Sequence, residues 1–135
     1  MTKESFRLTV IRKESFNSAH RLNNSKLSEK ENKEIFGKCN YPNYHGHNYE
    51  LEVHVTGEVD EITGYVIDLK ILRDIITKEV THKFDHKNLN LDIPEFKELN
   101  PTAENIVYVI YTLIRNKLDD KYDLRVYLQE TEKNS

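Results

Sequence analysis

Two histidines stand at the head of the clearest strand pattern in the 135-residue chain. After His45 and His47, apolar residues occupy every second position: Tyr49, Leu51, Val53 and Val55. Because side chains alternate between the two faces of a β-strand, this pattern predicts a strand from His47 to Gly57 with both imidazoles on the apolar side. His54 falls on the polar face and is excluded from that group. The pair could hold one metal ion, although an isolated His-x-His is also compatible with two solvated or hydrogen-bonded histidines.

The first strand supplies a candidate third ligand. Alternation runs from Phe6 to Phe16, but Arg12 and Glu14 occupy positions where apolar residues are expected. We therefore expect a strand with a β-bulge near Arg12. Counting by twos from Phe16 places His20 on the same face as Phe16, and His20 becomes the candidate third ligand.

The only cysteine, Cys39, lies six residues before His45. It follows a short helical pattern from Glu31 to Phe36, which Gly37 is expected to end. A single cysteine cannot form an internal disulfide, so this thiol is either a small buried hydrophobe or a working group. Its position beside the histidines favours the working group.

Two amphipathic helices are expected after the second strand. Asp68 is a candidate N-cap for a helix whose apolar residues are Leu69, Leu72, Ile75, Ile76 and Val80. Residues 101–105 resemble a cap and first turn, in which Glu104 suits the helix dipole. The inward residues of this second helix are Ile106, Val109, Ile110, Leu113, Ile114 and Leu118.

The last predicted strand runs from Asp123 to Gln129 and carries Glu130 in phase with its apolar side. An inward carboxylate requires a partner, because an unpaired buried charge costs several kcal/mol. A ligand is a reasonable partner for it. The order strand, strand, helix, helix, strand predicts an α+β fold, an antiparallel sheet with two helices on one face.

Asp85 and His86 adjoin each other in the segment Phe84 to Leu89, which we expect to be too polar for the core. Neighbouring Asp and His residues are common in loops, and the pair alone does not indicate catalysis.

Charge and composition exclude several classes of function. The net charge is -3 and Lys and Arg are interspersed with Asp and Glu, which argues against nucleic-acid binding. No apolar run approaches the length of a membrane span, and no leader pattern follows Met1 to Glu4. We expect a single domain over residues 1–135, located in the cytoplasm and acting on a small molecule.

Ordered motifs spread along the chain resemble those of the 6-pyruvoyl-tetrahydropterin synthase family, with 6-carboxy-tetrahydropterin synthase as a close neighbour. The motifs are FNSAHRL at 16–22, FGKCN at 36–40, HGHNY at 45–49, TGYVIDL at 63–69, DHKNL at 85–89, PTAEN at 101–105 and ET at 130–131. The resemblance covers the chain from Phe16 to Thr131.

The resemblance implies three groups of site residues. The implied Zn²⁺ ligands are His20, His45 and His47. The implied catalytic set is Cys39, Asp85 and His86. The implied pterin-binding residues are Glu130, Thr102 and Glu104. Mg²⁺ is a further candidate ion, which would bind the triphosphate group of the implied substrate.

The resemblance also implies a tunnelling fold, in which subunits join their sheets into a barrel and two trimeric rings form a hexamer. The implied reaction is elimination of triphosphate from 7,8-dihydroneopterin triphosphate. Five residues separate Cys39 from His45, as in the pyruvoyl enzyme, whereas the carboxy enzyme of the queuosine pathway typically has three. A non-catalytic zinc or pterin-binding module is the remaining alternative. Family members continue into a further strand, so we expect a sequence shortened at Ser135.

Overall fold

A long antiparallel hairpin forms the middle of the sheet. The computed structural model describes residues 6–135, so the prediction that concerned Met1 to Glu4 lies outside the described residues. Strand β1 spans Arg7–His20 and strand β2 spans His45–Glu58. The second strand therefore begins at His45, two residues earlier than predicted, because His45 pairs with the last residue of β1.

The bulge expected near Arg12 is absent. Pairing between β1 and β2 runs without interruption from Arg7 opposite Glu58 to His20 opposite His45. Arg12 and Glu14 lie on the side of the strand that also buries Phe16, and their side chains form an ion pair at 2.6 Å. The prediction was wrong because two charged residues that neutralise each other can remain in phase with an apolar face.

Within residues 6–135, four strands make up the sheet in the order β3-β1-β2-β4. Strand β4 is Asp123–Gln129, as predicted, and it pairs antiparallel with β2. Strand β3, Lys87–Asn88, was not predicted and runs parallel to β1. The three long strands are antiparallel, as predicted, and the two-residue strand β3 adds a short parallel pairing at the edge of the sheet.

The first of the two main helices is longer than its sequence pattern indicated. Helix α2, Leu69–Ile76, begins at the predicted cap, where Asp68 accepts a hydrogen bond from the N–H of Lys70 at 2.8 Å. A π-helical turn, Thr77–Thr81, and helix α3, His82–Phe84, continue it. Leu69, which was expected to face the core, is 51% exposed.

The π-helical turn keeps four core residues on one side of this helical segment. The residues, spaced by four, are Leu72, Ile76, Val80 and Phe84, each with 0% exposure. In an α-helix a spacing of four drifts by about 40° per step, so the face would rotate away from the sheet. A wider π turn compensates for that drift. Phe84 and Leu89 are both buried, so the prediction that residues 84–89 are too polar for the core was wrong at both ends.

The second main helix agrees with its prediction. Helix α5 is Ala103–Arg115, and the Thr102 side chain caps it by accepting a hydrogen bond from the N–H of Asn105 at 3.2 Å. Of the residues predicted to face inward, all except Leu113 are buried, and Leu113 packs partly buried against the core.

Shorter helices connect these elements. Helix α1, Glu29–Phe36, starts two residues before its predicted start because Ser28 and Glu31 form a capping box. It ends at Gly37, whose φ of 55° favours glycine. A 3-10 turn, Gly37–Asn40, follows it, and helix α4, Leu89–Asp92, precedes a second 3-10 turn, Pro94–Phe96.

One hydrophobic cluster lies between the sheet and the helical layer. It contains residues of all the main elements, including Phe16 of β1, Leu51 of β2, Ile76 of α2, Ile110 of α5 and Leu128 of β4. The predicted α+β class, with two main helices packed against the sheet, is confirmed. Within residues 6–135 no helix has the length and apolar character that crossing a membrane requires.

Candidate metal centre and active site

Three histidines meet where β1 ends and β2 begins. His20 lies directly opposite His45 in the β1–β2 pairing, and His47 is two residues further along β2 on the same face. One ring nitrogen from each histidine lies within 4.8 Å of the other two. The distances between ring centroids are 4.7 Å for His20 and His45, 5.1 Å for His45 and His47, and 5.2 Å for His20 and His47. The structure thus brings the three predicted residues into one cluster.

The donor set fits a divalent ion. Each ring has one buried nitrogen without a hydrogen-bond partner among the described residues: Nε2 of His20, Nδ1 of His45 and Nε2 of His47. Buried polar atoms normally have a bonding partner. Three neighbouring ring nitrogens without a hydrogen bond therefore indicate a shared partner, such as a metal ion. Burial lowers the pKa of His20 and of His45 and favours the neutral imidazole, the form that binds metals.

The tautomer of His20 is determined by the main chain. Its Nδ1 lies 2.8 Å from the carbonyl oxygen of Pro101, just before helix α5. A carbonyl can only accept a hydrogen bond, so Nδ1 carries the proton and Nε2 keeps its lone pair for the cluster. Sequence reasoning missed this contact, because nothing in the pattern around Pro101 indicates that it lies beside His20.

Glu130 points at the histidine cluster. Its Oε1 lies 3.1 Å from Nε2 of His47 and 3.7 Å from Nε2 of His20. The carboxylate is at the end of β4, and its side chain is 21% exposed. The prediction of an inward carboxylate is confirmed, and the groups that it faces are the imidazoles.

Cys39 is held near the end of β1 by main-chain contacts. The carbonyl of Cys39 accepts a hydrogen bond from the N–H of Leu22 at 2.7 Å, and the neighbouring carbonyl of Asn40 accepts one from Nε of Arg21 at 2.9 Å. Cys39 is partly buried. Burial raises the pKa of the thiol, and the nearby negative charge of Glu130 raises it further. In this chain alone, Cys39 is therefore a protonated thiol at neutral pH.

Asp85 and His86 are hydrogen-bonded to β1, and their side chains point away from the core toward solvent. Oδ1 of Asp85 accepts a hydrogen bond from the N–H of Asn17 at 2.8 Å, and the N–H of His86 donates to the carbonyl of Asn17 at 2.6 Å. Nδ1 of His86 lies 3.0 Å from Oδ2 of Asp85, while 83% of the His86 side chain is exposed. Across residues 6–135 no hydrogen bond or ion pair joins this couple to Cys39.

His86 has a strained backbone. Its φ is +59°, in the left-handed region that non-glycine residues seldom adopt. Strain of this kind costs of order 1–3 kcal/mol and is concentrated at functional sites. The hydrogen bonds to Asn17 hold His86 in this conformation.

The other predicted binding residues lie at the start of α5. The hydroxyl of Thr102 caps the helix, and Glu104 is exposed in the first turn. Pro101, which contacts His20, directly precedes them. This turn is therefore linked to the histidine cluster through the main chain.

Tyr49 is a polar residue that the sequence pattern assigned only to the core. Its ring stacks on Phe16 with a centroid distance of 5.0 Å and lies edge-on to His47 at 5.8 Å and to His20 at 6.4 Å. Its hydroxyl is buried without a hydrogen-bond partner in the described part of the chain, and burial raises the pKa of the phenol well above its ordinary value. The sequence did contain a signal that Tyr49 lies beside the histidines, because it follows His47 by two residues and therefore shares its face of the strand.

Comparison with known proteins gives a consistent family. Residues 9–135 match the model of the family described as 6-pyruvoyl tetrahydropterin synthase. A 6-pyruvoyl tetrahydrobiopterin synthase of Dictyostelium discoideum is 44% identical over 128 residues, which cover 93% of this chain and 93% of that protein. The human 6-pyruvoyl tetrahydrobiopterin synthase is 40% identical over 125 residues, covering 93% of this chain and 86% of the human protein.

A solved structure is similar over nearly the same range. The 6-pyruvoyl tetrahydropterin synthase of Caenorhabditis elegans superposes with a TM-score of 0.89 at 40% sequence identity. The match covers 95% of this chain and 91% of that structure.

Proposed function

The chain belongs to the 6-pyruvoyl tetrahydropterin synthase family, and we propose that it is a lyase of tetrahydropterin biosynthesis that converts 7,8-dihydroneopterin triphosphate to 6-pyruvoyl-tetrahydropterin. The observation that carries the proposal is the cluster of His20, His45 and His47, with one unpartnered buried nitrogen on each ring. The five residues between Cys39 and His45 favour the pyruvoyl product over the carboxy product.

We propose that the ion held by the three histidines is Zn²⁺. Three neutral imidazoles leave one position free, which is typical of catalytic rather than structural zinc sites. When bound, zinc acts as a Lewis acid that makes a substrate hydroxyl and the adjacent C–H more acidic. The chain's contribution is orientation: Pro101 fixes the His20 tautomer, and the β1–β2 pairing fixes the spacing of the rings.

Proton transfer is assigned to Cys39, Asp85 and His86. Cys39 as a thiolate would accept the proton from the side-chain carbon. Because the pKa of Cys39 is raised in the isolated chain, it needs a positive neighbour to ionise near neutral pH. His86, oriented by Asp85 and mostly exposed, is suited to supply that charge across a subunit boundary.

The reaction balances without an external oxidant. The C–O bond to the triphosphate breaks, the triphosphate leaves with the electron pair, and the neighbouring carbon loses a proton to the base. The side chain becomes oxidised to a diketone, and the hydrogens that it loses are returned to the pterin ring by tautomerisation. No nicotinamide or flavin is therefore needed. Mg²⁺ is proposed as a companion of the triphosphate only.

Pterin binding is assigned to Glu130, Thr102 and Glu104. Glu130 is partly exposed beside the histidines and can present both carboxylate oxygens to the aminopyrimidine edge of a pterin. Hydrogen bonds to a charged group contribute about 1.5–3 kcal/mol each. Thr102 and Glu104 lie in the turn that follows Pro101, which itself contacts His20.

We propose that this single domain assembles as a tunnelling-fold hexamer of two trimeric rings and works in the cytoplasm. Strand β4 is at the end of the sheet order, so its outer edge is available to a neighbouring sheet. The face of β2 opposite the core carries Glu50, Glu52 and His54, which suit a water-filled channel. A neighbouring subunit would also complete the catalytic set by bringing its Asp85 and His86 to Cys39.

The proposal is tested by incubating zinc-loaded protein with 7,8-dihydroneopterin triphosphate and identifying the products by mass spectrometry. We expect 6-pyruvoyl-tetrahydropterin and triphosphate, and no product from a His47→Ala control. A carboxy product with acetaldehyde would instead assign the chain to the 6-carboxy-tetrahydropterin synthase reaction. Unchanged substrate from fully metal-loaded protein would indicate a non-catalytic zinc or pterin-binding module.

A further inference from the structure

We infer that Asn40 is a positioning residue of the reaction: its buried carboxamide joins the turn that carries Cys39 to the chain segment that follows His20, and thereby holds the thiol in place. This inference rests on the proposed function, in which Cys39 is the base, and on four hydrogen bonds between the two segments.

The segment that follows His20 has no strand partner within residues 6–135. Strand β1 ends at His20, and residues 21–23 lie outside the paired strands. The main-chain polar groups of a partly buried segment still need hydrogen-bond partners. Arg21 receives them from a side chain: Oδ1 of Asn90 accepts its N–H at 2.8 Å, and Nδ2 of Asn90 donates to its carbonyl at 2.9 Å. A carboxamide from another loop thus replaces the missing strand.

The next residue, Leu22, is bound at both main-chain groups by Cys39 and Asn40. Its N–H donates to the carbonyl of Cys39 at 2.7 Å, and its carbonyl accepts a hydrogen bond from Nδ2 of Asn40 at 2.8 Å. Nδ2 of Asn40 also donates to Oδ1 of Asn23 at 2.8 Å. Nε of Arg21 donates to the carbonyl of Asn40 at 2.9 Å. We call these four hydrogen bonds the Asn40 clamp.

The Asn40 clamp fixes the turn that carries Cys39 to a rigid part of the molecule. That turn, Gly37–Asn40, is a single 3-10 turn, and residues 41–44 after it belong to no helix or strand. The other side of the clamp directly follows His20, which is 1% exposed and ends β1. The position of the thiol therefore depends on the clamp. A displacement of about 1 Å in a reacting group can lower the rate about 100-fold.

An asparagine side chain is suited to this position. Asn40 is 3% exposed, so its amide hydrogens need partners within the protein. The carbonyl oxygen of Leu22 can only accept a hydrogen bond, and the atom that faces it is therefore the amide nitrogen. Alanine would leave this carbonyl without its donor and would loosen the turn, while the bond from the N–H of Leu22 to Cys39 remains.

The test compares Asn40→Ala with Asn32→Ala as the matched control. Asn32 is also 3% exposed, and its carboxamide bonds main-chain groups of Asn24 and Ser28 on the N-terminal side of α1, away from Cys39. Both variants lose a buried carboxamide, so both should unfold at a lower temperature. In zinc-loaded protein, kcat of Asn40→Ala should fall about 10- to 100-fold at unchanged KM and zinc content. Asn32→Ala should keep the kcat of the unmodified protein.

Alkylation of Cys39 separates positioning from stability. Cys39 is the only cysteine in the chain, so the mass gain of the intact protein after iodoacetamide treatment measures its reaction directly. A loosened turn opens more often, and we expect alkylation at least about threefold faster in Asn40→Ala and unchanged in Asn32→Ala.

A second variant removes another bond of the clamp from a partly exposed side chain. Arg21→Lys loses the hydrogen bond from Nε to the carbonyl of Asn40 and leaves the buried carboxamide in place. It should change kcat and alkylation in the same directions as Asn40→Ala, and it keeps the test decisive if Asn40→Ala does not fold.

The positioning role is overturned if folded, zinc-loaded Asn40→Ala keeps the kcat of the unmodified protein or is alkylated no faster. It is also overturned if Asn32→Ala changes both quantities equally, because the effect would then be one of stability alone. Alkylation needs no substrate. Faster alkylation of Asn40→Ala, together with no product from the unmodified protein, would therefore contradict the proposed function and leave the hold of Asn40 on Cys39 in place.

Discussion

The N–H of Asn17 donates a hydrogen bond to Oδ1 of Asp85 at 2.8 Å, which ties the loop after α3 to β1 three residues before His20. The carbonyl of the same Asn17 accepts the N–H of His86 at 2.6 Å. One residue of β1 therefore positions both members of the outward-facing pair. This arrangement also lowers the pKa of Asp85, mainly through the N–H of Asn17.

This contact predicts that Asp85 makes the free energy of unfolding depend on pH in the acid range. Because the pKa of Asp85 is lower in the folded than in the unfolded chain, its stabilisation is present above the unfolded pKa of about 3.9 and is lost as pH falls through the folded pKa. The variant Asp85→Asn keeps a side-chain acceptor for Asn17 but cannot titrate. Urea unfolding between about pH 5 and pH 2 should show a steeper loss of stability for the unmodified protein than for Asp85→Asn. Parallel curves would mean that the Asn17 contact does not depend on the charge.

Replacing Cys39 should separate binding from chemistry. Cys39→Ala is expected to retain zinc and to bind substrate, because among the described residues the metal-binding cluster consists of His20, His45 and His47, without Cys39. Turnover should fall by at least about 100-fold, since general base catalysis typically contributes that much. Metal analysis, substrate titration and product assay on one preparation measure the three quantities. Unimpaired turnover would make Cys39 a packing residue.

The outward position of His86, with 83% of its side chain exposed, favours an active site shared between subunits. We expect that Cys39→Ala and His86→Ala, each inactive alone, regain activity when they are refolded together. Random assortment around a cyclic ring makes about one quarter of the interfaces intact at both residues. Mass spectrometry of the mixed oligomers verifies that subunits have exchanged. Persistent inactivity of a verified mixture would indicate that both residues must belong to one chain.

The buried hydroxyl of Tyr49 predicts an unusual pair of stability effects. Tyr49→Phe removes an oxygen that has no hydrogen-bond partner in the described structure, so the free energy of unfolding should stay equal or rise. Tyr49→Ala also removes the stack on Phe16 and should cost about 3–5 kcal/mol. Denaturant titration of both metal-free variants measures these changes. A loss above about 1 kcal/mol for Tyr49→Phe would show that the hydroxyl is paired in the free protein.

Much of the strand layer was predictable because a β-strand has a period of two. Once Phe16 was placed inside, His20 had to lie on the same side, and the alternation from Tyr49 to Val55 determined which face of β2 is buried. The same reasoning placed Glu130 inward. The reasoning failed at Arg12, where it predicted a β-bulge, because the sequence pattern does not reveal that Glu14 neutralises Arg12 within the same strand.

The contacts that orient the site were not predictable from local patterns. The bond from His20 to Pro101 spans 81 residues, and the bond from Asn17 to Asp85 spans 68. Each depends on how the helices return to the sheet, which no local period encodes. The π-helical turn that brings Phe84 into the core was equally unpredictable, because its position is determined by packing rather than by helix propensity.

We propose that His20, His45 and His47 hold the catalytic zinc, and the zinc content per chain tests this assignment. His47→Ala and His54→Ala remove histidines from opposite faces of the same strand, so they form a matched pair. We expect about one zinc ion per chain in the unmodified protein and in His54→Ala, and much less in His47→Ala, with loss of turnover. Full zinc occupancy and normal turnover in His47→Ala would contradict it.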